Sequence, residues 1–386
     1  MKFSTALLAP LVLVVTATPI SVLERRQILV EQLAQQAQQL GATLMTAIIP
    51  AQKSYKIETG NQFPPSIPRQ GVKRSRYWYG PYEIRALNSS VKLGNGRSGD
   101  PGGTAWNYIG GDLPKDITIL SANVSVVYAD GSLIGTSNGL YNHHLLVVDL
   151  SKKPPTIATC PSGRGAEPPG LSMWAGSSED KGGSMFTTDD GKFNSGYYVG
   201  KNDKVTMAGD IVNFTNEKKI VYTMIDIQYV EGKPEGHQEA VTQLWNVGQC
   251  EGEGKVGFDI PKPRPDQKKF ALRSQNMTMV QDGTFLAFRG HLHEGGTEVI
   301  ATLNGVEVCR SGAIYSGPST TPGDQGALSA MQYCNKSIKV KKGDIMTLEA
   351  NYDLELHPPR MQHGGGMAGE MGIMSIFFAA EPTKAN

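Results

Sequence analysis

The sequence predicts an all-β protein built from two antiparallel sandwich domains, preceded by one amphipathic helix. From Tyr77 onward, short runs rich in β-branched and aromatic residues alternate with Gly, Pro, Asn and Asp, as in "ITILSANVSVVYA", "KIVYTMIDIQYV", "EVIATLNGVEVCR" and "MGIMSIFF". Many short strands separated by turn residues are the pattern of sandwiches and barrels. The segment "FDIPKPRPDQKKFALRS", residues 258–274, carries three prolines and clustered charge that no central strand accepts, and reads as a linker. A length of 386 residues suffices for two such domains, or for one large β unit.

Taken in order, residues 1–17 read as a secretory signal peptide: Lys2, a short apolar run, and a small-residue ending at Val15-Thr16-Ala17. The run is too short to span a bilayer, and no later stretch is long enough either, so a soluble, secreted protein without a membrane span is expected. Residues 18–74 form a helical N-terminal segment, in which Leu33, Ala37, Leu40, Leu44 and Ile48 recur at helical spacing before Pro50. Arg25-Arg26 and Lys73-Arg74 are dibasic pairs of the kind cut during processing. Residues 75–262 make the first sandwich and residues 263–386 the second, with a monomer expected.

Two counts agree with an oxidising route. The N-x-S/T sequons at Asn88, Asn123, Asn213, Asn276 and Asn335 mark candidate glycosylation sites. The four cysteines, Cys160, Cys250, Cys309 and Cys334, contain no CxxC pair, so disulfides are favoured over zinc. Three pairings are open; proximity in sequence favours Cys160 with Cys250 and Cys309 with Cys334, one bridge in each half of the chain. The formal net charge of +1 gives no electrostatic reason to expect a nucleic-acid or membrane partner.

Candidate chemistry concentrates in the histidines. Four of the seven fall in two motifs, "YNHHLLVVDL" and "GHLHEGGTEV". On a strand, residues i and i+2 share a face, so His291 and His293 can converge on one metal ion; the alternative is a pair of polar side chains on an exposed strand. Adjacent residues face opposite ways, so His143 and His144 can share a metal only at a strand end or a β-bulge. "HGGGMAGEM" offers His363, Met367 and, after Glu370, Met371 as a further donor, whereas Met374 within "GIMSIFF" reads as core. Two imidazoles with one thioether suit copper that cycles through Cu(I) better than zinc. Elsewhere, "GNGRSGDPGG" lacks the strand, helix and lysine of a phosphate-binding loop, His357 reads as a loop residue, and Asp189-Asp190 as turn formers.

The order HH, HxH, Met over two β domains resembles the copper type II, ascorbate-dependent monooxygenases of the peptidylglycine α-hydroxylating type, and the related stress-up-regulated nodulin family. "SMWAG" (172–176), "SGYYVGKNDKVTMAG" (195–209), "YTMIDIQYV" (222–230) and "HGGGMAGEM" are similar to further stretches of that family, and the resemblance covers roughly residues 75–380. It implies two jelly-roll-like sandwiches, with His291, His293 and Met371 holding an oxygen-activating copper and His143 and His144 holding an electron-transfer copper. It also implies dioxygen, an ascorbate-type reductant and hydroxylation of a C–H bond in a small-molecule or peptide substrate. One departure stands out: where the family places a third histidine for the first copper, this chain has Gln228, with His237 or Met224 as the nearest substitutes. That departure keeps a second reading open, a non-catalytic extracellular copper-binding or stress-response protein of the same fold.

Overall fold

The computed structural model describes residues 49–60, 63–89, 103–166, 172–250, 267–316, 328–359 and 370–382. The signal peptide, nearly all of the expected helix, the Arg25-Arg26 pair, most of the glycine-rich stretch 94–103, His363 and Met367 lie outside the described residues. Within them the protein is all-β, as expected: strands in three sheets and a single turn of 3-10 helix at Thr136–Asn138. No helix among the described residues is long and apolar enough to cross a membrane.

The central sheet is the organising element. It begins with Lys56–Thr59, Lys73–Ile84, Lys219–Glu231, Ile117–Val127 and Ser195–Val199, and continues without a break through Gln238–Asn246, Gly372–Ala380, Gly283–Leu292 and Tyr333–Cys334. The two halves join where Ser195 and Gly196 pair in parallel with Gln238 and Glu239. A five-stranded sheet containing Leu140–Asp149, Val205–Asn213 and Ser172–Ser177 packs on the first half, and a seven-stranded sheet containing Gly296–Leu303, Val306–Tyr315 and Ile345–Asp353 belongs with the second.

Two hydrophobic cores result. Tyr79, Trp174, Phe186, Tyr197 and Ile225 belong to the first, and Trp245, Phe285, Phe288 and Phe378 to the second. The strand Gly372–Ala380 serves both: Met374, Ile376 and Phe378 face the second core, while Phe377 and Ala379 face the first. Period-2 alternation on a strand covered on both sides explains why "GIMSIFF" is apolar at nearly every position. The chain crosses early into the second core, at Ile157–Cys160 and again at Val241–Cys250. Both disulfides, Cys160–Cys250 and Cys309–Cys334, therefore lie against that core.

The second half of the segment expected to be a linker is a strand. Lys269–Arg273 pairs with Glu349–Asp353, and Phe270 stacks on Tyr352 with ring centres 4.7 Å apart. The prolines stop at Pro265, and beyond them alternation of exposed and half-buried residues is free to form an edge strand.

Candidate metal centre

His143 and His144 sit on the strand Leu140–Asp149, and the ladder with Val205–Asn213 is irregular at that point. Asp210 pairs with His144 and Ile211 with Asn142, which leaves His143 as the extra residue of a bulge. A bulge turns two consecutive side chains toward the same side. Accordingly, the two imidazole centres lie 4.1 Å apart with the rings inclined at 44°. Nδ1 of His143 is 3.2 Å from an Asp210 carboxylate oxygen, and the Tyr141 ring lies beyond it, 6.1 Å centre to centre. The condition under which adjacent histidines can share a metal is thus present in the backbone.

His291 lies near the end of Gly283–Leu292, which pairs antiparallel with Gly372–Ala380 so that His291 faces Ile373 and Leu292 faces Gly372. Continuing that register sets Met371 opposite His293, and His291 is two residues back on the same face. The His291 and His293 ring centres are 5.8 Å apart at 83°. The Tyr352 hydroxyl donates to the Met371 carbonyl at 2.8 Å and fixes that end of the chain. A Cβ on Gly372 would come within 2.7 Å of Ala350 and 2.9 Å of the Tyr352 oxygen, so the approach requires glycine.

A residue that the sequence does not single out orients His291. Asp180, in the loop between Ser172–Ser177 and Gly183–Met185, is 2 % exposed and places Oδ2 2.8 Å from His291 Nδ1. Its Oδ1 accepts a hydrogen bond from Ser178 Oγ at 2.5 Å and lies 3.6 Å from Arg289 Nη1. Burial alone would push the Asp180 carboxyl up; the facing His291 and Arg289 and the hydrogen bonds hold it well below the usual carboxylate range. With Nδ1 donating to this carboxylate, the remaining nitrogen of His291 is the one available to a metal. Arg289 also donates to the Lys181 carbonyl at 2.9 Å, and a Cβ on Gly182 would lie 2.1 Å from its guanidinium, so the loop rests directly on Arg289.

Glu370, next to Met371, is 6 % exposed, and burial together with neighbouring Glu294 pushes its carboxyl up to about 8. It is a neutral acid over most of the physiological range. Among the described residues no group of three or more His, Cys, Asp or Glu side chains is placed to hold a metal. The imidazole pairs that come together are His291 with His293 and, separately, His143 with His144 on a bulge.

Gln228 does not join the HH pair. Ile225 and Ile227 face the first core, whereas Gln228 lies on the strand's other face, near Ile67 and Val230. Its Oε1 accepts from the backbone N–H of Ser66 at 2.6 Å and of Ile67 at 3.1 Å, and its Nε2 donates to Ser66 and Ser121 hydroxyls, each at 3.0 Å. Met224 packs against Trp78, Val127 and Tyr222. The His237 side chain, 1 % exposed, lies 3.5 Å from Glu239 where the two halves of the central sheet join. His357 stacks on Tyr315, with ring centres 3.5 Å apart.

Comparison with known proteins agrees with the family read from the motifs. The sequence model of the family described as stress up-regulated Nod 19 matches residues 189–380. A protein of Phoma sp. named "Probable copper-dependent oxygenase M1" is 26% identical over 263 residues, 67% of this chain and 62% of that protein. "Probable copper-dependent oxygenase clz3" of Cochliobolus lunatus is 25% identical over 255 residues, 66% of this chain and 76% of that protein. The chain therefore spans less than two thirds of the length of the first of these relatives. Among solved structures, an N-glycanase F is 10% identical and covers 79% of this chain and 97% of its own, with a TM-score of 0.34, a likeness too slight to carry an argument. The chain is thus similar to the Nod 19 family over residues 189–380 and, at about a quarter identity, to two proteins named as probable copper-dependent oxygenases.

Proposed function

We propose that the protein is a secreted copper-dependent monooxygenase-like oxidoreductase that hydroxylates a C–H bond of a small or peptidic substrate with dioxygen and an ascorbate-type reductant. What supports this reading is the buried Asp180 carboxylate 2.8 Å from His291 Nδ1, at the end of a strand that pairs with the strand beginning next to Met371. Carboxylate–histidine pairs of this kind accompany metal-bound imidazoles and fix which nitrogen faces the ion. Copper bound there would supply the one-electron redox chemistry that activates dioxygen. His143 and His144, turned together by the bulge, are the residues that would hold a second copper for electron supply.

The residues themselves have separable tasks. Asp180 keeps the His291 ring in one tautomer, Tyr352 fixes the Met371 backbone, and Glu370 stands as a buried acid beside it. The two disulfides, on a β-fold with no apolar helix among the described residues, support an oxidising, extracellular location.

Gln228 favours one other reading. Since its amide is committed to Ser66, Ile67 and Ser121, the first pair has no third histidine from that strand, and a copper-binding protein with a single competent site and no turnover is the alternative. Metal analysis decides between them. Copper-loaded wild type should hold two equivalents and consume dioxygen with ascorbate, and His143→Ala and Met371→Ala should each lose about one equivalent. Unchanged copper in His291→Ala/His293→Ala would show the second site to be wrong, and copper without oxygen uptake would favour the non-catalytic protein.

A further inference from the structure

A cavity of about 260 Å³ opens beside the proposed metal centre. It shares Ser178 and Glu179 with a small recess that His291 and Tyr141 line, and Tyr333 of the second half of the central sheet closes one side. Its apolar wall is formed by Val124, Val126, Leu133 and Ile134. We infer that this cavity binds a small organic anion that also carries a hydrogen-bond donor; the inference rests on the function proposed above and adds the class of its substrate.

Two features define the ligand. Lys181 is the single cation in the wall, is exposed, and has no carboxylate paired with it among the described residues. Glu179, the single carboxylate in the wall, is already taken by the backbone N–H groups of Thr136 and Asn142. Lys181 also has φ +46°, a conformation that side chains other than glycine adopt at a cost and that tends to mark sites where the fold aims a residue. Its backbone is held there by Ser178, which accepts its N–H, and by Arg289, which donates to its carbonyl. Arg289, committed in this way and to Asp180, is not part of the wall.

Asn142 supplies the second feature. It is 6 % exposed, its Nδ2 donates to Ser177 Oγ at 3.2 Å, and its Oδ1 has no partner. A buried acceptor left without a donor is destabilising, and a ligand hydroxyl or N–H would satisfy it. An acidic group at Lys181, a donor at Asn142 and an apolar body against Leu133 and Ile134 together place the ligand in the cavity that adjoins the His291 recess through Ser178 and Glu179.

The test uses the full copper-free chain with 4-hydroxybenzoate, 4-hydroxybenzamide and benzoate as probes in equilibrium binding. The hydroxy acid should bind about tenfold more tightly than its amide, as a charge-assisted hydrogen bond predicts. Lys181→Met should erase that difference, Lys181→Arg should keep it, and Asn142→Ala should reduce 4-hydroxybenzoate to the affinity of benzoate. Equal binding of acid and amide by the wild type, or a preference that survives Lys181→Met, overturns the assignment. So does a glycan found by peptide mapping on Asn123, which is exposed in the cavity wall and would fill it. Copper uptake measured after reloading the same preparations separates the two claims. Normal copper uptake without anion preference overturns the cavity alone, and anion preference in a chain that takes up no copper on reloading overturns the metal centre.

Discussion

Asp180 meets His291 from the other half of the molecule: the aspartate follows a strand of the five-stranded sheet over the first core, and the histidine ends a strand lining the second. The orientation of the imidazole therefore depends on how the two halves pack. Asp180→Asn keeps the shape while removing the charge that faces His291 and Arg289. Copper affinity at the HxH site should fall about 10–100-fold in an equilibrium titration. The metal-free variant should also unfold more easily, by about 3 kcal/mol, since Arg289 loses its buried counter-charge.

Glu370 gives a pH signature. Burial and Glu294 raise its carboxyl from an ordinary 4.5 to about 8 in the folded state. A group with a raised folded value contributes stability that is complete below about 4.5 and is lost as the pH rises, with the loss finished above about 8. Glu370→Gln, which cannot ionise, should remove this slope. Chemical unfolding at pH 5 and pH 8 should show a stability difference smaller by roughly 2–4 kcal/mol in the variant than in the wild type. An unchanged difference would mean that the carboxyl ionises normally.

The sequons divide by what their amides already do. Asn213 is fully buried: its Nδ2 donates to the Glu217 carbonyl at 2.7 Å and its Oδ1 accepts from Thr215. A glycan there would require the turn to open and its hydrogen bonds to be abandoned. Asn88 and Asn276 are exposed. Peptide mapping of protein made along a secretory route should find sugar at Asn88 and Asn276 and none at Asn213.

What was legible in the sequence follows the range of the interactions. His291 and His293 could be placed on one face because strand periodicity is local, whereas Met371 was joined to them through the family resemblance. Met374 within "GIMSIFF" reads as core from its apolar neighbours, and it is fully buried. The HH pair was legible only as a condition, since a bulge arises from the partner strand and has no composition of its own. Asp180 had no signal at all. "SSEDKGG" reads as a polar turn, and the burial of that carboxylate comes from Arg289 and His291, more than 100 residues away along the chain. The continuous central sheet was equally hidden, because the join at Ser195–Gln238 depends on non-local strand pairing.

Gln228 occupies the place where the resembled family has a histidine, and the obvious repair is Gln228→His. The strand's alternation argues that it fails: position 228 faces away from the first core, and its amide holds Ser66 and Ile67 against the sheet. An imidazole there cannot reproduce two accepted backbone N–H bonds together with donation to Ser66 and Ser121. The variant should bind no more copper than the wild type and should lose about 1–3 kcal/mol of stability through the N–H groups left unpaired. Metal analysis beside a thermal melt checks both. A gain of copper affinity at the HH pair would instead mean that this strand can turn its face toward His143 and His144.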